Sequence, residues 1–203
     1  MAESTKLANP APLGLAGFGM TTVLLSLVNA GVLPHTGENV VVPLALAYGG
    51  AIQILAGLLE FRLGNTFGMT AFLSYGAFWW WFALMLVFDH TGMLSLKDAD
   101  STIGVALLLW GALTMYLWVG TFRLPHALWW IFFTLWITFY LLGLGALLGI
   151  QTLTRLGGWV GIVSGAVAMY TSFAEVANFC FGHKVVPTGD RPSDAIGHPQ
   201  AAE

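Results

Sequence analysis

Residues 9–19, NPAPLGLAGFG, organise this chain, because a polar N-terminal segment meets the first long apolar run there. Asn9 precedes Pro10, which disfavours the α conformation at Asn9 and suits a helix N-cap. Pro10 is tolerated in a first helical turn, where its missing N–H costs nothing. The glycines of the stretch predict a helix with bare backbone on one side, available for close packing; they are Gly14, Gly17 and Gly19.

The composition places the whole chain in a membrane. Of its 203 residues 57% are hydrophobic and only 8% are charged, whereas soluble domains carry about 25% charged residues. The net charge of −3 and the lack of a basic run exclude a nucleic-acid partner. Cys180 is the single cysteine, which excludes an internal disulfide and a thiolate metal cluster.

Apolar runs of the length that crosses a bilayer follow one another along the chain. They cover residues 10–33, 43–61, 67–88, 102–122, 125–150 and 156–181, with 34–42, 89–101 and 151–155 as loops. Their continuous hydrophobicity indicates helices and not a β-barrel. The first run is too long for a signal-peptide core. We therefore expect an all-α integral membrane protein: an N-terminal tail (1–9), six transmembrane helices (10–182) and a disordered C-terminal tail (183–203).

Lysine and arginine predict the orientation, because they accumulate on the cytoplasmic side of a membrane. Five lie on one side of the predicted spans and two on the other; the five are Lys6, Arg62, Arg123, Lys184 and Arg191. Both termini are therefore expected in the cytoplasm, and the protein in the cell (inner) membrane.

Two patterns within the spans predict how the helices pack. Gly157, Gly161 and Gly165 recur every four positions, which allows another helix, of the same or another subunit, to approach closely. The run 79–81 is three tryptophans, for which we expect a ridge facing lipid or a neighbouring subunit.

Few polar side chains fall inside the spans, and they are the candidates for function. The histidines all lie in loops or at span ends, and no Ser/His/Asp or Cys/His set lies in the membrane, so neither an enzyme nor a cofactor is expected. Gln53 and Glu60 share one helix face, and Glu175 and Asn178 lie on the last span. Buried carboxylates in membranes are functional candidates, although Glu60 could instead pair with Arg62 or cap a neighbouring turn.

Three parts of the chain carry a family resemblance. They are residues 9–19; residues 48–79, YGGAIQILAGLLEFRLGNTFGMTAFLSYGAFW; and the last span with Phe181-Gly182. Together they resemble the acetate uptake transporters, which are the succinate–acetate permeases of bacteria and archaea and their fungal relatives. The resemblance implies hexamers with one conduit through each subunit. It also implies transport of acetate, and often succinate, with protons or by a channel-like route.

The resemblance further implies a narrow apolar constriction formed by Phe18, Tyr75 and Leu135. Counted along their spans at 1.5 Å per residue, these positions and Gln53 all fall near mid-membrane. We expect the three side chains to converge, with Gln53 and the Tyr75 hydroxyl as the nearest polar groups.

The remaining site candidates divide into substrate binding and proton coupling. Asn9 and Thr21 complete the expected substrate-binding set. Asn9 and the free amides of the first helix would draw anions to the start of that helix. Glu60 and Glu175 are the proton-coupling candidates. The expected function is a transporter or channel for small carboxylates. The alternative is a membrane sensor or scaffold that keeps the helices but transports nothing.

Overall fold

The computed structural model describes residues 7–190, and every regular element in that range is helical. Six of its helical segments are long and apolar enough to cross a membrane, which confirms the predicted fold class. The spans are α1 (Ala11–Asn29), α2 to α3 (Glu38–Arg62 in three parts), α4 (Thr66–His90), α5 (Asp100–Gly120), α6 (His126–Leu148) and α7 (Gln151–Phe181).

The second span is interrupted by a π-helix. It comprises α2 (Glu38–Leu44), the π segment (Ala45–Ile52) and α3 (Gln53–Arg62). The sequence predicted its start at Pro43, but the helix begins at Glu38 and Pro43 lies inside it. Proline removes one helical hydrogen bond, and the wide π turns follow directly. The Trp80 indole Nε1 of α4 donates to the Leu46 carbonyl within the π segment at 3.0 Å.

The last span is longer than the sequence predicted. Residues 151–155, expected as a loop, form the first turns of α7, because Gly149 ends α6 in the left-handed conformation (φ 65°) and Ile150 completes the reversal. With 31 residues, α7 is about 46 Å long. That exceeds the roughly 30 Å hydrocarbon core, so α7 must project beyond it.

Helix α1 packs among several neighbours at once through its glycines. A Cβ on Gly14 would lie 2.6 Å from the Phe72 ring of α4, and one on Gly17 would lie 2.7 Å from the Tyr48 carbonyl oxygen. A Cβ on Gly19 would lie 2.7 Å from the Gly165 carbonyl oxygen of α7. The sequence predicted that these glycines would leave bare backbone on one side of α1. In the structure they face three different neighbours instead.

The small-residue stripe of α7 finds its partners within the chain. On the side of α1, a Cβ on Gly161 would meet Ser26 and one on Gly165 would meet Val23. On the side of α6, a Cβ on Gly157 would meet Leu142. The sequence left open whether this stripe packs within one subunit, and these contacts answer that it does.

The tryptophan run 79–81 does not form one outward ridge. Trp79 is only 2% exposed and packs edge-on against the Phe78 ring at 5.4 Å, whereas Trp80 is 41% exposed. Helix periodicity explains the difference, since consecutive residues point about 100° apart around the axis. Only part of the run faces outward.

We call the end at which α1 begins and α7 ends the near end, and the opposite end the far end. At the near end, the disordered tail was predicted to start at residue 183, which is earlier than the structure allows. Residues 183–190 are held by hydrogen bonds to α6 and α7, so the ordered part extends past His183. The rest of that predicted tail, and most of the N-terminal tail, lie outside the described residues.

Candidate functional site

Two cavities lie one after the other along α1, α4 and α6 inside the bundle, and we call the boundary between them the neck. The near cavity measures about 90 Å³ and is lined by α1, α3, α4, α6, α7 and Thr188. The far cavity measures about 40 Å³ and lies among α1, α4 and α6. Among the described residues, three side chains line both cavities: Phe18, Tyr75 and Leu135.

These three side chains form the neck. The rings of Phe18 and Tyr75 lie 5.6 Å apart, centroid to centroid, and the Phe132 ring packs behind Tyr75 at 6.0 Å. Phe18, Tyr75 and Leu135 are 3 to 5% exposed. The structure therefore brings together the three positions that the resemblance assigned to a constriction, at the level where the two cavities meet.

The Tyr75 hydroxyl is directed towards α5, which lines neither cavity. It donates to Thr114 Oγ1 of α5 at 3.1 Å, and Thr114 Oγ1 in turn donates to the Trp110 carbonyl at 2.8 Å. The expectation that this hydroxyl replaces a solute's lost water therefore does not fit the structure. Its donor is already used, and Tyr75 presents its ring to the neck.

Gln53 is the least satisfied polar side chain of the near cavity. It is completely buried, and neither its Nε2 nor its Oε1 has a hydrogen-bond partner among the described residues. Buried amides are normally hydrogen-bonded, and an unmet donor costs about 1 to 3 kcal/mol. An amide in this state can bind a polar solute or water that enters the cavity.

Two asparagine–glutamate pairs stand at helix starts and place both carboxylates in the near cavity. Asn65 Oδ1 caps α4 by accepting from Gly68 N (3.0 Å), and its Nδ2 donates to Glu60 Oε2 (2.8 Å). Asn9 repeats the arrangement at α1: its Oδ1 accepts from Ala11 N (3.0 Å), and its Nδ2 donates to Glu175 Oε2 (3.1 Å). Glu60 is thus held by Asn65, not by Arg62. The N-cap position of α1 itself is Pro10, one residue later than predicted.

The structure places Thr21 outside the site. Thr21 lines neither cavity, and its hydroxyl donates to the Gly17 carbonyl at 2.9 Å. Its neighbour Thr22 lines the far cavity instead, with a buried Oγ1 that has no partner among the described residues.

Sequence reasoning missed the polar lining of the far cavity. Thr22, Ser26 and Asn29 line it from α1, and Thr138 lines it from α6. Their spacing along α1, four and then three residues, places them on one helix face, and that signal could have found them. The capping role of Asn65 also had a signal, because asparagine stands directly before an apolar run there.

Two largely apolar cavities, each with a few polar side chains in its wall, meet at an apolar neck inside a bundle of membrane spans, which is the architecture of a channel or transporter. The chain is a multi-pass membrane protein of that class. It matches the model of the GPR1/FUN34/yaaH family over residues 1–188, and it belongs to this family.

Curated relatives agree with this assignment. The chain is 44% identical over 187 residues to the "Succinate-acetate/proton symporter SatP" of Escherichia coli (strain K12), which covers 92% of this chain and 98% of that protein. It is 34% identical over 209 residues to "Acetate permease A" of Emericella nidulans, and the match covers 96% of this chain and 70% of that protein. Both relatives are named as transport proteins and not as enzymes.

A solved structure shows the same fold. The "Structure of the bacterial acetate channel SatP" superimposes with a TM-score of 0.87 at 43% identity, over 91% of this chain and all of that one.

Proposed function

We propose that this protein transports small carboxylates, chiefly acetate and also succinate, through a passage inside each subunit. The observation that carries the proposal is the pair of in-line cavities whose shared lining is Phe18, Tyr75 and Leu135. A sensor or scaffold needs no such passage, whereas a transport protein does. The names of the relatives supply the class of solute.

The polar groups next to the neck suit a carboxylate that loses water there. An ion that enters an apolar site without compensating hydrogen bonds pays a large desolvation cost. On the near side, the unpaired Gln53 amide offers donors at the point where water is lost. On the far side, the unpaired Thr22 hydroxyl does the same. Asn9 serves the near mouth, where its side-chain amide already holds a carboxylate, that of Glu175.

We further propose that transport is linked to protons through Glu60 and Glu175. Both line the near cavity, and Glu60 Oε1 has no hydrogen-bond partner among the described residues. Carboxylates inside membranes commonly serve as proton relays. A carboxyl oxygen without a partner is free to exchange a proton with water or with a substrate in the cavity.

For the membrane location, the orientation and the oligomeric state we propose what the sequence predicts. The protein lies in the cell (inner) membrane with the near end, and hence both termini, in the cytoplasm. It assembles as a homohexamer surrounded by lipid. Met93 is exposed between α4 and α5 at the far end. In a Cys180→Ser background, cysteine-accessibility labelling of Met93→Cys should read external in intact cells, and labelling from the cytoplasm alone would contradict this orientation.

Uptake of labelled acetate into proteoliposomes tests the function, with and without an imposed pH gradient. We expect uptake that saturates, that succinate inhibits, and that falls with Gln53→Ala because the dehydrated carboxylate loses its donors. Glu60→Gln should leave acetate exchange in place while weakening its response to the gradient. Protein-free liposomes are the control. If uptake by the reconstituted protein equals this control at every gradient, the sensor or scaffold alternative stands instead.

A further inference from the structure

The segment that follows α7, residues 183–190, folds back along the bundle; we call it the flap. Asn178 ties it to α7 through three hydrogen bonds: its Oδ1 accepts from Val185 N (2.7 Å) and Val186 N (2.8 Å), and its Nδ2 donates to the Val186 carbonyl (2.9 Å). The Tyr170 hydroxyl donates to the Pro187 carbonyl at 2.7 Å. Asn178 and Tyr170 both belong to the last turns of α7, so the flap returns along the end of that helix.

The other side of the flap is bound to the start of α6. The Ala127 N–H donates to the Thr188 carbonyl at 3.0 Å, and the His126 N–H donates to the Gly189 carbonyl at 2.8 Å. The first N–H groups of a helix have no partner within it, so the flap satisfies donors that would otherwise need water. It thereby bridges α6 and α7 at the near end.

This bridge is also part of the cavity wall. Thr188 is only 9% exposed and lines the near cavity, as do Pro125 of the α6 start and Glu175 of α7. With the flap in place, the gap between the ends of α6 and α7 is closed at this level. A flap that moved away would open the near cavity between these two helices.

Two glycines and an ion pair define the form of the flap. Gly182 precedes it and Gly189 lies near its end, with positive φ angles of 69° and 75°, a conformation that glycine adopts readily. Lys184 forms an ion pair with Asp190 that joins its two ends. The hydrogen bond from Lys184 is the main reason that the pKa of Asp190 lies below its usual value, so this carboxyl is ionised at neutral pH.

We propose that the flap is a movable wall of the near cavity and that its closed position limits which solutes enter from the near end. Asn178 is the positioning residue that holds it closed. The inference depends on the proposed function only in naming a carboxylate as the solute that passes. The movement itself can be measured without any transport.

Thiol labelling measures the movement directly. A single cysteine is placed in the near cavity as Thr171→Cys, in a Cys180→Ser background that removes the exposed natural thiol. The purified protein is treated with a small, water-soluble methanethiosulfonate. Asn178→Ala removes three hydrogen bonds worth about 1 kcal/mol each, so labelling should accelerate at least tenfold. Asn178→Asp keeps the acceptor and should accelerate it less.

Chain truncation gives the matched control. A chain ending at Gly182 lacks the flap and should label at least as fast as Asn178→Ala, whereas a chain ending at Asp190 keeps the flap and should label like the full chain. Labelling of Met93→Cys at the far end should be the same in all of them.

A second, milder variant keeps the test decisive if truncation prevents folding. Tyr170→Phe removes one exposed hydrogen bond and should accelerate labelling about fivefold. Unchanged labelling in folded Asn178→Ala and Tyr170→Phe proteins would overturn the flap, whatever their acetate uptake. Faster labelling without any acetate flux would support the flap and reject the proposed function.

Discussion

Shortening Leu135 should open the neck between the two cavities. Its side chain is 3% exposed and lines both the near and the far cavity, so Leu135→Ala removes the aliphatic side of the neck. A carboxylate in the intact neck forgoes hydrogen bonds at about 1 to 3 kcal/mol each. Admitting one water to restore one of them should therefore raise acetate flux about tenfold. Longer acids such as butyrate should gain more, because the steric limit is relaxed as well.

Leu128→Ala is the matched control for this variant. Leu128 lies seven residues earlier on the same face of α6 and lines only the near cavity. It loses the same three carbon atoms but is only partly buried, so Leu135→Ala should cost about 3 kcal/mol of stability and Leu128→Ala less. That loss is measured by thermal unfolding in detergent.

The assay is initial uptake of labelled acetate and labelled butyrate into proteoliposomes of matched protein content. We expect Leu135→Ala to raise both rates and the butyrate-to-acetate ratio, and Leu128→Ala to leave the ratio unchanged. If both variants raise the rates equally, flux is limited by the near cavity and not by the neck. If neither does, the passage does not run between these side chains.

Three further substitutions test the contacts around the passage. Gly68→Ala would place its Cβ 2.9 Å from Glu60 Cδ and should reduce acetate uptake by displacing that carboxylate, whereas Gly120→Ala meets its nearest atoms at 3.5 Å and should not. Thr114→Val leaves a buried hydroxyl without its acceptor and should lower thermal stability by about 1 to 3 kcal/mol. Gly165→Ala would place its Cβ 2.8 Å from a backbone oxygen of α1. This overpacking should also lower thermal stability by about 1 to 3 kcal/mol.

Hydrophobicity along the chain predicted the spans well, because a bilayer imposes both their length and their helical form. Phe18, Tyr75 and Leu135 were also predictable together. The resemblance named them, and depth within each span, which depends only on residue number, placed them at one level.

Rotation about the helix axes was not predictable in the same way. The sequence chose Thr21 for the site, but one residue further along a helix is about 100° around it, and Thr22 is the residue that lines the far cavity. The π segment before Gln53 also changes the direction in which the later side chains of the second span point. Hydrophobicity along the sequence does not reveal this segment. The Tyr75–Thr114 bond joins two spans 39 residues apart, which no local pattern specifies.

The two sides of the neck differ in chemistry, and that difference bears on how protons would be coupled. The near cavity holds both glutamates and the Gln53 amide, whereas the polar side chains in the largely apolar wall of the far cavity include hydroxyl and amide groups but no described carboxylate. An apolar neck passes a neutral acid more readily than its anion, because an unpaired charge is costly to dehydrate. Under the proposed function, an exchange of the acid's proton with a protein carboxyl would therefore take place on the near side, where Glu60 and Glu175 lie. Entry to that cavity is bounded by the flap, so solute access and proton exchange would take place in one compartment on the same side of the membrane.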